Sequence, residues 1–275
     1  MLVRATFGIV YDAIERFLAD DGWMVASYIA LTTLMSLFPL LIFVAALAGF
    51  FGTQSLSNEV ARLIFGTWPA AVAEPMAEEV RNVLTQPRGG LLTFGAVFAL
   101  YFASSAIEAL RTGLNRAYHF TEIRPWWILR LYSIAFVGMM SIALLALAFL
   151  VVVWLGIWAR LVGSFPELGH FHGLLSGILA LSAPLFLAHR YLPVRRMRFL
   201  DIAPGVAVTV VCSIIFGWGF GLYLASFPLN YASMYAGLGS VMAALVFLYS
   251  IAAIFVFGGE LNAAIMHARE AHKSA

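Results

Sequence analysis

One helical turn separates Glu108 from Arg111, at the point where a long apolar run gives way to polar residues. The surrounding stretch, YFASSAIEALRTGLNRAYHFTEIRPWW over 101–127, reads as a helix ending in a cluster of arginines. At helical spacing Tyr101, Ser104, Ser105, Glu108, Arg111, Thr112 and Asn115 fall on one face, with Phe102, Ala103, Ala106, Leu110 and Leu114 opposite. Hydroxyls, an amide and an ion pair on one face suit the binding of a polar or anionic group, or the carriage of a proton. Counted from Leu91, a membrane span of about 20 residues places Glu108 within the apolar layer, near one end. A carboxylate there requires a partner or a wet cavity, and Arg111 is the expected partner. Glu260 and Asn262 form a second polar set near the far end of the chain, and Tyr28, Thr32, Ser36 and Pro39 share one face of an early helix.

Bond-breaking chemistry has little to stand on. Hydrolysis of RNA needs clustered carboxylates or histidines for metal ions, or an acid and a base beside a cationic groove. The six histidines are scattered at 119, 170, 172, 189, 267 and 272, and His170-x-His172 has no acidic neighbour in sequence. No HExxH, phosphate-binding glycine loop or serine nucleophile motif occurs. The single cysteine, Cys212, excludes an intramolecular disulfide and a cysteine metal cluster. No enzyme activity, metal or cofactor is expected on these grounds. A net charge of +2 gives no reason to expect nucleic acid as a partner.

The elements that must position these residues are membrane helices. Hydrophobic residues make up 63% of the chain and charged residues 11%, less than half the share of about 25% usual for soluble domains. Six apolar runs, at roughly 24–50, 91–110, 131–158, 172–189, 202–226 and 239–258, are each long enough to span. The expected fold is therefore all-α: a polytopic membrane protein of six transmembrane helices forming one unit over 1–275. Before the first run, Phe7, Val10, Tyr11, Ile14, Phe17 and Leu18 recur at helical spacing among charged residues. That pattern predicts an amphipathic helix on the membrane surface or packed under the bundle. Residues 51–90 carry two short apolar stripes and predict one or two helices on the outer side. Trp154 and Trp158 close the third run, as an interfacial belt would.

Two local features bear on packing. Pro39 frees the carbonyl of Met35 and predicts a bend in the first span. Thr209, Ser213, Gly217, Gly221 and Ala225 recur every four residues in the fifth, a small-residue ridge that admits a close neighbour within the chain or in a second copy. Orientation follows from the cations: 12 lie on the side of both termini and 4 on the other, which predicts cytoplasmic termini.

Several short stretches, taken in order, resemble the YihY family, also known as virulence factor BrkB or ribonuclease BN-like proteins. They are Tyr28-Ile29-Ala30 with Ser36-Leu37-Phe38-Pro39-Leu40-Leu41, then Leu114-Asn115-Arg116-Ala117-Tyr118 with Glu122 and Arg124. Pro204-Gly205, Tyr231, the run from Tyr235 to Gly239, and Gly259-Glu260-Leu261-Asn262-Ala263 complete the set, which covers nearly the whole chain. The chain departs from the family pattern at Phe247, where members often carry tryptophan. The resemblance implies a bacterial inner-membrane helical protein whose relatives are linked with transport or lipid export.

Two functions are then expected to compete. One is a transporter, flippase or exporter of an amphipathic or anionic small molecule or lipid. Its path would be lined by Glu108, Arg111, Asn115, Tyr101, Ser104, Ser105, Tyr28, Ser36, Glu260 and Asn262, with Glu108 or Glu260 as proton carrier. The other is a non-transporting scaffold, in which the same groups, with Ser213, Gly217, Gly221 and Pro39, only fix helix packing. Membrane lipids are the expected partners, with anionic headgroups at the cytoplasmic arginines.

Overall fold

The computed structural model describes residues 2–51, 92–162, 178, 181–226 and 238–274. Six helices are defined there: α1 (Leu2–Ala19), α2 (Gly22–Phe51), α3 (Leu92–Ala117), α4 (Trp126–Val162), α5 (Phe199–Ser226) and α6 (Leu238–Ser274). Residues 181–191 form a further helical stretch, and among the described residues there is no strand. The all-α expectation holds. Three helices are long and apolar enough to cross a membrane, over Trp126–Leu147, Phe199–Ala225 and Val241–Ala271, and the apolar stretch Gly22–Leu37 of α2 is shorter. The outer segment expected over 51–90 lies outside the described residues beyond Phe51, and so do residues 172–177, 179 and 180 of the fourth expected span.

The last helix runs well past its expected end. Gly258-Gly259 followed by Glu260 read as a terminus, yet α6 continues to Ser274. At 37 residues it is about 55 Å long, against an apolar layer of about 30 Å. The paired glycines serve packing instead. A Cβ on Gly258 would lie 2.1 Å from Thr209 Oγ1, and one on Gly205 2.1 Å from the Gly258 carbonyl oxygen. Backbones of α5 and α6 therefore touch at Gly205 and Gly258, which only glycine permits.

α6 is the axis of the bundle, in contact with α1, α2, α3 and α5, while α4 packs on α3. The core joins Val25, Ala26 and Ile29 of α2, Ala109 and Leu114 of α3, and Ala252, Phe255 and Val256 of α6. On the outer faces Trp218, Ile215 and Val211 of α5 and Leu131 and Ile142 of α4 are exposed, as lipid-facing side chains are. The predicted ridge of α5 is buried at Thr209, Ser213 and Gly217, half-buried at Gly221 and exposed at Ala225. Its tight end lies one turn earlier, at Gly205. Helix α2 passes through Pro39 without interruption.

The first helix packs on the bundle, as one reading of its sequence expected. Ala13 packs against Leu261 and Ala264 of α6, and Phe17 enters the main core. Phe7, Tyr11, Ile14 and Leu18 stay exposed as an apolar stripe.

Candidate functional site

The single polar face expected on α3 divides into two columns. Ser104, Arg111 and Asn115 point inward and are buried. Tyr101, Ser105 and Glu108 lie to the side and are gripped by Arg130, on the first turns of α4. Arg130 Nη1 donates to Glu108 Oε2 at 2.8 Å, and Nη2 donates to the Tyr101 carbonyl at 2.7 Å and to Ser105 Oγ at 3.1 Å. Its guanidinium also lies 3.8 Å from the centroid of the Tyr101 ring. The expected Glu108–Arg111 ion pair is present, and a second, closer cation joins it. Arg111 Nη2 reaches the carboxylate only at 3.6 Å, so the close partner is Arg130, 22 residues away. An i,i+3 search could not have found it.

Arg111 is approached from other sides as well. It is 4% exposed and its Nη1 has no hydrogen-bond partner. Glu108, Glu122, Arg124 and Tyr28 of α2 lie close enough to act on its charge. Tyr28 itself is half-exposed, while Ser36, two turns on, is buried. Asn115 links two connections: its Oδ1 accepts the Val194 N–H at 2.9 Å and its Nδ2 donates to Glu122 Oε2 at 3.4 Å.

Glu122 sits in the link between α3 and α4 and takes a forked pair of bonds from Arg124, both at 2.8 Å. Those bonds hold the Glu122 carboxyl below the usual carboxylate range, and the same contact raises Arg124.

A second polar chain crosses the bundle at Asn262. Its Oδ1 accepts the Gly205 N–H at 2.7 Å, and its Nδ2 donates to the Tyr118 hydroxyl at 3.2 Å. Tyr118, so engaged as acceptor, has its proton free for His189 Nδ1 at 2.9 Å. All three side chains are buried. Sequence reasoning singled out Asn262 and missed His189, whose one signal was a polar residue closing an apolar run.

Glu260 stands apart from this chain. It is fully buried and neither carboxylate oxygen has a hydrogen-bond partner. Glu108 and Glu260 thus belong to separate clusters with different neighbours. Two ionisable groups that approach Glu260 come from the short connections at this end of the bundle. One ligand atom each from Asp20, His119 and Glu260 lies within 4.8 Å of the others. Asp20 precedes α2, and His119 follows α3. They meet Glu260 because α6 lies against the end of α3 at Gly259, whose Cβ would lie 3.1 Å from that of Ala117.

Residues 13–275 match the family described as Virulence factor BrkB. The chain is similar to a putative ribonuclease-like protein, YfkH, of Bacillus subtilis, at 26% identity over 94% of this chain and 95% of that one. It is also similar to UPF0761 membrane proteins of Rhodospirillum centenum (26% identity) and Chromohalobacter salexigens (27%). It covers 94% of itself in both, but only 57% and 63% of their lengths. No solved structure matches. The chain is a membrane protein, and it belongs to the virulence factor BrkB family.

Proposed function

We propose that this protein is a transporter, flippase or exporter of an amphipathic anion or lipid in the bacterial cytoplasmic membrane. The observation that carries the reading is Arg111: a cation in an apolar bundle, 4% exposed, paired with Glu108 only at 3.6 Å and with an Nη1 donor that nothing among the described residues accepts. Ionisable groups kept inside membrane helices mark substrate or ion pathways, because burying an idle charge costs several kcal/mol, of order 3. A guanidinium with a free N–H suits a phosphate, sulfonate or carboxylate headgroup. Tyr28, Ser104 and Asn115 would line the approach, with Glu108 and Arg130 at its flank. The arginine-rich connections favour a cytoplasmic position for this end of the bundle and for both termini.

A scaffold reading draws on the Asn262–Gly205 and Thr209–Gly205 bonds, which are satisfied locally and fix helix packing. The two separate in one assay. Purified protein in sealed vesicles should speed the crossing of labelled anionic phospholipid or an aromatic organic anion relative to protein-free vesicles. Unchanged crossing for both probes would leave the scaffold reading. The relative's ribonuclease-like name is not carried over: the proposal expects RNA to survive incubation with the purified protein.

A further inference from the structure

We propose that Asp20, His119 and Glu260 bind one divalent transition-metal ion, zinc in the first instance, which ties together both helix connections and α6 at this end of the bundle. The inference rests on geometry alone and stands whether or not the protein transports. Its starting point is Glu260, whose two oxygens are buried without a donor. A buried carboxyl in that state either holds its proton or finds a counter-charge, and none stands at hydrogen-bond distance among the described residues. Four charged side chains act on it: Asp20, Arg16, Arg116 and Asp12. Both arginines have carboxylates of their own, Arg16 on Asp12 at 3.0 Å and Arg116 on Asp21 at 2.7 Å. The pocket between Asp20 and Glu260 therefore carries two acidic groups whose close cation, among the described residues, is the His119 imidazole when protonated and an ion when it is not.

The ligand atoms are spaced for an ion. Asp20 Oδ2 and His119 Nε2 stand 3.3 Å apart without making a hydrogen bond. Two ligands of a tetrahedral zinc, each about 2.0–2.1 Å from the metal, lie about 3.3–3.4 Å apart. Glu260 completes a set within 4.8 Å, which a small side-chain movement closes, and water supplies a fourth ligand. Nitrogen with two carboxylate oxygens favours a transition metal over calcium or magnesium, which take oxygen alone. His119 is half-exposed, so an ion can enter.

The backbone at His119 carries a cost that a side-chain role would explain. The His119 N–H bonds the Arg116 carbonyl at 3.0 Å and the Phe120 N–H the Asn115 carbonyl at 2.8 Å. That pair of bonds is the left-handed helix stop whose central residue is usually glycine. Here it is histidine, at φ 54°.

The strain supplies the test. His119→Gly should relax the backbone while deleting one ligand, and Glu260→Gln should delete another without changing shape. Protein purified with a tag free of histidine, stripped with chelator and placed in nanodiscs would be titrated with zinc. Bound metal would be counted and melting followed. Wild type should hold one more zinc per chain than His119→Gly. It should also gain about 5–10 °C in melting temperature at free zinc roughly 100-fold above Kd. His119→Gly should melt no lower than wild type without metal and gain nothing with it. Equal zinc uptake and equal stabilisation in both would place any binding at other histidines and overturn the proposal, as would no stabilisation of wild type. If Glu260→Gln fails to fold, the His119→Gly comparison still decides.

Discussion

Asn262 of α6 accepts the backbone N–H of Gly205 of α5 at 2.7 Å, beside the point where the two backbones touch. The hydrogen bond and the missing side chain depend on each other, since a Cβ on Gly205 would also lie 2.5 Å from Asn262 Nδ2. Gly205→Ala should destabilise the protein by about 1–3 kcal/mol, the usual cost of overpacking a tight contact. At Gly219, on the same helix, an added Cβ would meet nothing within 4 Å, so Gly219→Ala should be neutral or stabilise by up to about 1 kcal/mol. Thermal melting in detergent reads both. Equal melting of the two variants would mean that α5 and α6 are not in tight contact at Gly205.

Arg130 should matter more to local order than any other residue of the α3–α4 pair. It satisfies a carboxylate, a carbonyl and a hydroxyl and stacks on Tyr101. Arg130→Lys keeps the charge but loses the planar fork, so it should recover little of what Arg130→Gln loses, about 1–3 kcal/mol. A double-mutant cycle with Glu108→Gln should show coupling for Arg130 and a weaker one for Arg111, following the 2.8 Å and 3.6 Å contacts. Stronger coupling to Arg111 would restore the i,i+3 pair as the principal one.

Composition and apolar run lengths were enough to read helices and membrane, because burial in lipid demands both. Partners across the fold were not readable. Glu108 finds Arg130 through the packing of α4 on α3, and Asp20, His119 and Glu260 converge from two connections and the last helix. Gly258-Gly259 misled for a physical reason: glycine weakens an isolated helix, but here it admits α5 and α3, and the packing gained keeps α6 helical. The small-residue ridge of α5 was visible at the right spacing from Thr209 onward, while its tight end at Gly205 depends on the approach of Gly258 across the fold.

The Glu122–Arg124 fork sets one pH dependence. Because its folded carboxyl titrates below the ordinary value of 4.5, Glu122 adds stability that is complete above that value. The contribution is lost as pH falls below 4.5 through the depressed folded value. Melting from about pH 7 down to 3 should show wild type and Arg124→Gln separated by a constant gap above roughly pH 5, closing below it. A gap that widens on acidification would contradict the sign of the shift.

The exposed stripe of α1 should meet lipid. Phe7, Tyr11, Ile14 and Leu18 lie on the side away from Ala13 and Phe17, which pack inward. Spin labels at Tyr11 or Ile14 should be relaxed by oxygen dissolved in the bilayer, and a label at the exposed Glu15 by a water-soluble nickel chelate. Water-like accessibility at all three positions would place α1 off the membrane.

Arg111 decides between passage and packing. Among the described residues its Nη1 has no acceptor, and the Glu108 carboxylate it pairs with at 3.6 Å already holds Arg130 at 2.8 Å. Arg111→Met removes the charge and keeps much of the volume. If Arg111 exists to hold an anionic headgroup, this variant should fold as well as wild type or better, since an incompletely paired buried charge is gone. Vesicle flux of the anionic probe should then fall, with apparent affinity weakened about 10–100-fold, the loss expected for one charge-assisted hydrogen bond. Arg111→Lys should keep part of that affinity through its point charge. If the residue is structural, Arg111→Met should instead melt early, with any flux lost in proportion to folded protein. A variant that melts like wild type and transports like it would remove Arg111 from the path and withdraw the observation on which the transport proposal rests.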